Sequence, residues 1–354
     1  MKLLVVQDHL RSGGTERQSV LLAGGFAAAG HDTSLFTFRP GGVLAPTLDQ
    51  AVKLRTLQPF DTGLGWFAPG LLAAAGRVRP EVTLCMGRMA NCQSGSLQTR
   101  LRELHPRAVV VATMRTGKSL PWLFRRSLRQ VRHVVANSRA AKQTLVAQHG
   151  LAAEKISVIH NSLVFPSESL LVRDESVRAR WGATSSTTVL LNVAMFRPEK
   201  NQRELIETIA GLPRDLNFQL WLAGAGPALA DCERLVAGRR WGDKVKFVGF
   251  QADPTPLYAA ADLAVHASSI DSLSNFLIEA QAHGLPAVAF AAQGMDECCL
   301  PGDTGFIIPR GDRRAFLSAL AGLIGEPATG RTGRSARARV FAREAFEPRR
   351  QTAT

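Results

Sequence analysis

The 354-residue chain contains no uninterrupted apolar run near the roughly 18–20 residues needed to cross a bilayer. Its opening, Met1-Lys2-Leu3-Leu4-Val5-Val6-Gln7-Asp8, turns polar after four apolar residues, so neither a membrane span nor a secretory leader is expected. Cysteine is scarce. Cys85, Cys92, Cys232, Cys298 and Cys299 are odd in number and form no C-x-x-C pair, which fits neither a disulfide framework nor a zinc cage and points to a reducing cytoplasm. There is no Walker A sequence and no G-x-G-x-x-G, so a nicotinamide-dinucleotide oxidoreductase lacks its fingerprint. No D-x-D triplet occurs either, so a metal-chelating diphosphate site is not indicated.

What is present is globular composition, with 45% apolar and 20% charged residues and length enough for two domains. The net charge of +14 is unevenly spread. Residues 1–180 hold 24 basic against 11 acidic side chains, 181–330 hold 12 against 16, and the stretch from Arg331 onward holds 7 against 2. A basic first half suits an anionic partner such as nucleic acid, anionic lipid or a phosphorylated substrate, although solubility alone also explains it.

Apolar runs at Lys2–Gln7, up to Phe38, and at Val82–Met86, Ala108–Thr113 and His133–Ala136 read as strands, with a helix from about Thr15 to Ala29. The pattern restarts with strands at Thr188–Val193, Gln219–Ala223, Val245–Phe250, Leu263–His266 and Pro286–Phe290. Helices fall between them near Asn201–Ala210, Ala228–Gly238, Pro254–Ala260 and Ser274–His283. Strands alternating with helices give parallel sheets. The expected fold is α/β, two Rossmann-like doubly wound domains facing across a cleft: residues 1–165, a linker at 166–187, residues 188–330, and a basic tail 331–354 that packs back on the first domain.

Four strand-to-helix junctions carry candidate chemistry. Gly13-Gly14 exposes backbone N–H groups at a helix start, where an anion can approach; a tight turn without a ligand explains it equally. Arg197 and Lys200, three residues apart after the strand at 188–193, can neutralise a diphosphate, or be ordinary surface charge. Gly224 in Ala223-Gly224-Ala225-Gly226-Pro227 lets a ligand near the backbone. Asp271, with Ser272 or Ser274 capping a helix that carries Glu279, aims two carboxylates and free N–H groups at one place. Carboxylates suit sugar and ribose hydroxyls.

With Val135-Ala136-Asn137-Ser138, Val158-Ile159-His160-Asn161-Ser162, Phe247-Val248-Gly249-Phe250, Gln293-Gly294-Met295-Asp296-Glu297 and Thr304-Gly305, these segments occur in an order that resembles glycosyltransferase family four, retaining nucleotide-sugar transferases of GT-B fold. The likeness spans about residues 1 to 325 and is tighter in the second half. It implies that Glu279 hydrogen-bonds the donor ribose, that Asp271 takes the first acidic position of an E-x7-E motif, and that Leu273 and Ser274 offer N–H groups to the phosphate. Arg197 and Lys200 would clamp the diphosphate, although the family's commoner arginine falls at Met195, and Phe250 would flank the base. Arg115 stands where the family often has a histidine and is expected to meet a donor or acceptor phosphate.

The implied enzyme is a retaining, hexosyltransferase-type glycosyltransferase, with catalysis resting on Asp271, Lys200 and Arg197. A UDP- or GDP-linked sugar is its co-substrate, and no metal or other cofactor is expected. The acceptor is a glycan or lipid-linked hydroxyl of cell-envelope lipopolysaccharide or polysaccharide synthesis, met by His9, Arg115, Lys118 and Arg125; His9 and His266 are candidate sugar contacts, although a packed or surface histidine is the commoner explanation of each. Trp122 to His133 mixes apolar and cationic residues, with Arg125, Arg129 and Arg132 on one side, and suits peripheral contact with an anionic inner-membrane surface on the cytoplasmic face. Nucleic acid is not an expected partner, and the oligomeric state is unreadable. The alternatives are a GT-B sugar-nucleotide epimerase and a protein binding nucleic acid or an anionic surface through the basic half.

Overall fold

In the computed structural model, which describes residues 1–167 and 172–348, every strand pairing is parallel, and the chain divides at Ser162/Leu163 into two units. The first unit holds a seven-stranded sheet in the order β3-β2-β1-β4-β5-β6-β7. Its strands are β1 (Lys2–Gln7), β2 (Asp32–Thr37), β3 (Lys53–Thr56), β4 (Val82–Cys85), β5 (Val109–Met114), β6 (His133–Ala136) and β7 (Ile156–Val158). Connections from β1 to β3 run one way across the sheet and later ones the other. Right-handed crossovers therefore put α1 (Gly14–Ala28) on one face and α2 (Leu71–Val78), α3 (Arg88–Leu104), α4 (Trp122–Gln130) and α5 (Arg139–His149) on the opposite face. Two cores result. Val5, Leu35, Leu22 and Ala23 pack under α1, while Leu4, Val6, Phe36, Leu97, Phe124 and Leu145 fill the other side.

The second unit repeats the plan with six strands, in the order β10-β9-β8-β11-β12-β13. They are β8 (Thr188–Val193), β9 (Phe218–Ala223), β10 (Val245–Gly249), β11 (Leu263–His266), β12 (Ala287–Phe290) and β13 (Gly305–Ile308). Its helices are α6 (Glu175–Arg180), α7 (Gln202–Ile209), α8 (Leu229–Gly238), α9 (Thr255–Ala260), α10 (Asn275–Ala282), α11 (Arg313–Ile324) and α12 (Ala328–Phe346). In each sheet the order reverses beside the first strand, between β1 and β4 and between β8 and β11. In doubly wound sheets ligands bind at that point, outside the carboxyl ends of the strands.

Two expected boundaries are corrected. The stretch 166–187 is not a linker where it is described. Leu163 already packs in the second core, Asp174 caps α6 through the N–H groups of Ser176 and Val177, and Arg178 is wholly buried. The arginine donates to the carbonyls of Ala260 (2.6 Å), Thr184 (2.9 Å) and Thr187, and to the Asp262 carboxylate at 3.0 Å. Most of the basic tail belongs to the second unit. α12 packs against α10 in the second, burying Ala338, Ala342 and Phe346, with Arg334 on Glu326 at 2.8 Å and Arg337 on Asp303 at 2.7 Å. Pro348 groups with the first unit. Residues 168–171 of the expected linker and 349–354 of the tail, Arg350 among them, lie outside the described residues.

Candidate functional site

At the switch point of the second sheet, Asn192 is a buried amide in the otherwise apolar strand Thr188–Val193. Its Nδ2 donates to the Val265 carbonyl at 2.8 Å and lies 3.0 Å from His266 Nδ1. That contact leaves the imidazole proton on Nε2, which donates to Asp271 Oδ2 at 3.3 Å. The same carboxylate oxygen accepts from Lys200 Nζ at 2.8 Å. Burial alone would raise the Asp271 carboxyl, but the Lys200 charge and the His266 hydrogen bond outweigh it and hold the group well below the usual carboxylate range. Burial lowers His266, with Asp271 offsetting only in part, so the ring is neutral at pH 7.

The loops carrying these groups are tied together. Ser269 N–H donates to the Glu199 carbonyl at 2.9 Å, and Arg310 reaches the Ala267 carbonyl at 2.7 Å. Arg197, exposed, opens the turn Pro198–Lys200, which Asn201 closes in the left-handed region at φ 51°.

Ser274 caps α10 by accepting from Leu277 N–H at 3.4 Å, so Asn275 starts the helix and Glu279 follows just over one turn later. The hydroxyl of Tyr258, the chain's single tyrosine, donates to Glu279 Oε2 at 2.6 Å. Its ring stacks on His283 with centroids 4.7 Å apart. Phe250 follows β10 and is half exposed.

The glycines at 224 and 226 need a different account. A Cβ on Gly224 would stand 2.0 Å from the Ala194 carbonyl oxygen, and one on Gly226 would stand 2.3 Å from that of Phe196. Both glycines admit the chain's own 194–196 loop, which then pairs with Ala223 and Ala225.

The first unit has a cavity of about 210 Å³ at its own switch point, lined by groups following β1, β4 and β5. Asp8 reaches across to the start of α3, accepting from Met89 N–H at 3.0 Å and Ala90 N–H at 2.7 Å. Its burial nonetheless raises its pKa. His9 Nδ1 sits 3.1 Å from Glu16. The Glu16 carboxylate folds back over Gly13, where an added Cβ would meet it at 2.3 Å, so the anion approached by the Gly13-Gly14 turn is a side chain of the protein itself.

The structure thus brings His9 and Arg115 into one cavity and leaves Lys118 and Arg125, both exposed, out of its lining. It also joins Lys200 to Asp271 and places Glu279 on the helix that follows. His266, a candidate sugar contact or a packed histidine, is packed, buried against Asp271. Arg132 falls beyond the end of α4 at Gln130; Arg125 and Arg129 are on the helix and exposed, and Trp122 and Leu123 are exposed at its start. Sequence reading missed Asn192 and Tyr258. An amide inside an apolar strand and a lone tyrosine were the available signals. Among the described residues, no three histidine, cysteine, aspartate or glutamate side chains gather as metal ligands, and no helix is long and apolar enough to cross a membrane.

The family model described as glycosyl transferases group 1 matches residues 187–326, and the one described as Glycosyltransferase Family 4 matches residues 12–163. The chain belongs to glycosyltransferase family four. This family-four chain is 29% identical over 149 residues to the lipopolysaccharide core biosynthesis glycosyltransferase LpsE of Rhizobium meliloti (strain 1021), covering 42% of this chain and 43% of that protein. It is 29% identical over 136 residues to N-acetyl-alpha-D-glucosaminyl L-malate synthase of Bacillus anthracis, covering 38% and 36%. The matches thus span less than half the length of these curated relatives. Anabaena Alr3699/HepE, solved in complex with UDP, superposes with a TM-score of 0.81 at 22% identity, covering 100% of this chain and 98% of that one. At that identity the likeness establishes the fold, which is the GT-B class of family four.

Proposed function

We propose that the protein is a retaining glycosyltransferase that moves a sugar from a UDP- or GDP-linked donor to a hydroxyl of a cell-envelope glycan or lipid-linked acceptor, without a metal. The observation that carries this reading is the pairing of Lys200 with Asp271 and of Tyr258 with Glu279 on either side of the capped α10 N-terminus, in a family-four domain. Glu279 accepts from the ribose hydroxyls, and the N–H groups of Leu273 and Ser274 meet the phosphate. Lys200, held in reach by Asp271, and Arg197 neutralise charge that grows on the leaving diphosphate. With front-face attack, the diphosphate oxygen itself takes the acceptor proton, so no protein nucleophile is required. The name of the Rhizobium relative supports an envelope acceptor, and the nucleotide in the Anabaena structure supports uridine.

On the acceptor side, His9 and Arg115 line the first unit's cavity, and Lys118 and Arg125 stand outside it. The exposed Trp122 and Leu123, with Arg125, Arg126 and Arg129, give a peripheral membrane contact. A second apolar patch adds to it. Buried Gln58 donates to the Leu64 and Phe67 carbonyls at 3.0 and 2.6 Å, pinning a loop that exposes Phe60 and Trp66. Trp122→Ser with Trp66→Ser is expected to abolish co-sedimentation with phosphatidylglycerol vesicles; undiminished sedimentation removes the membrane contact.

The donor reading is tested by thermal unfolding with UDP, GDP, ADP, TDP and CMP, with and without EDTA, on wild type and Glu279→Ala. A ligand at about 100 times its dissociation constant stabilises the native state by about 2.7 kcal/mol. A diphosphate-specific, EDTA-insensitive shift lost in Glu279→Ala is expected; no shift with any nucleotide overturns the donor site.

A further inference from the structure

The first unit's cavity holds polar groups that are nearly all used by the protein itself. Asp8 accepts two helix N–H groups, and Asn91 accepts from Thr113 N–H and donates to the Gly87 carbonyl, each at 2.8 Å. Arg115 is different. Its Nη1 donates to Asn161 Oδ1, the oxygen that also takes Asn137 Nδ2 at 3.5 Å. Two sequence segments, Val135–Ser138 and Val158–Ser162, thereby supply the asparagines that hold one arginine in place. The other edge of the guanidinium, Nε with Nη2, forms the side-on fork that grips an oxyanion through two parallel bonds. Nε is buried without a hydrogen-bond partner, and no carboxylate among the described residues lies within ion-pair distance of the group. Burial alone pulls this guanidinium down to about 10, with no neighbouring acid to offset it. A desolvated cation without a counter-ion is costly, and one that lines an open cavity can be completed from outside.

We infer that this cavity receives an anionic group of the acceptor, a phosphate or a carboxylate carried near the reacting hydroxyl, with Arg115 as its counter-ion. The inference rests on the transferase reading and narrows its acceptor from any glycan hydroxyl to one on a charged residue. Glu16, also in the cavity's lining, suits the acceptor's hydroxyl groups, because a carboxylate accepts from them. The donor's diphosphate is the other source of the same chemistry, and the experiment separates the two.

Protein saturated with the nucleoside diphosphate that stabilises it is titrated calorimetrically with three pairs: glucose 6-phosphate against glucose, glycerol 3-phosphate against glycerol, and galacturonate against galactose. At least one charged member is expected to bind about tenfold or more tightly than its neutral partner. Arg115→Gln removes that preference, Arg115→Lys keeps the charge without the fork and retains part of it, and both leave nucleotide affinity within about twofold of wild type. No preference in any pair, or a preference undiminished in Arg115→Gln, overturns the proposal. A tenfold loss of nucleotide affinity in Arg115→Gln also overturns it, assigning the arginine to the donor. If no nucleotide binds wild type, the donor reading fails separately, and the same titrations on unliganded protein still decide Arg115.

Discussion

Arg178 in the second unit is wholly buried and Arg115 in the first is half-buried, and the two are completed in opposite ways. Arg178 in the second unit delivers its Nη groups to three backbone carbonyls and the Asp262 carboxylate, with Glu175 a further 3.7 Å from Nε. Arg115 in the first unit has one neutral amide oxygen and, among the described residues, no carboxylate within ion-pair distance, while Nε lacks a hydrogen-bond partner in both arginines. A guanidinium enclosed by carbonyls ties α6 to the ends of β8 and β11 and is architecture. One held by a single edge, facing a cavity, is available to a ligand.

The sharpest way to break this contrast is to remove each charge in turn. Arg178→Met strands the Ala260, Thr184 and Thr187 carbonyls and takes the buried partner from Asp262, so a loss of about 3–5 kcal/mol of unfolding free energy is expected. Arg115→Met leaves no carboxylate behind and should fall within about 1 kcal/mol of wild type. Urea midpoints with matched slopes measure both. Equal losses would mean that Arg115 is structural and that its missing partner is incidental.

The same contrast shows how far the fold was legible in the sequence. Thr188–Val193 and Leu263–His266 were readable to the residue because both are apolar runs buried on two faces. β3, Lys53–Thr56, was not, since an edge strand with mostly exposed, polar side chains has no such run. Arg178 lay inside a polar stretch that composition assigns to solvent; a buried charge is invisible until its carbonyl partners are known. α12 was hidden by its arginines, although Ala338, Ala342 and Phe346 mark a narrow stripe at four-residue spacing. At the candidate site, the residue types of Lys200, Asp271 and Glu279 were legible from motif order. Gly224 signalled a close approach, and the structure shows the 194–196 loop making one; a glycine alone does not say what approaches it.

The smallest expected effect sharpens the comparison within the second unit. Glu279 there is a charged group that accepts a hydrogen bond from a neutral side chain, Tyr258, at 2.6 Å. Tyr258→Phe keeps the ring against His283 and Phe276 and deletes only the hydroxyl. Loss of one such hydrogen bond is worth about 0.5–1.5 kcal/mol, so nucleoside diphosphate affinity should fall about twofold to tenfold. The loss should fall on the ribose. Wild type is expected to prefer the nucleotide over its 2′-deoxy form, Glu279→Ala to show no preference, and Tyr258→Phe to lie between them. If Tyr258→Phe retains the full preference, contacts other than the Tyr258 hydroxyl orient Glu279. The hydroxyl then serves the carboxylate's solvation rather than its aim.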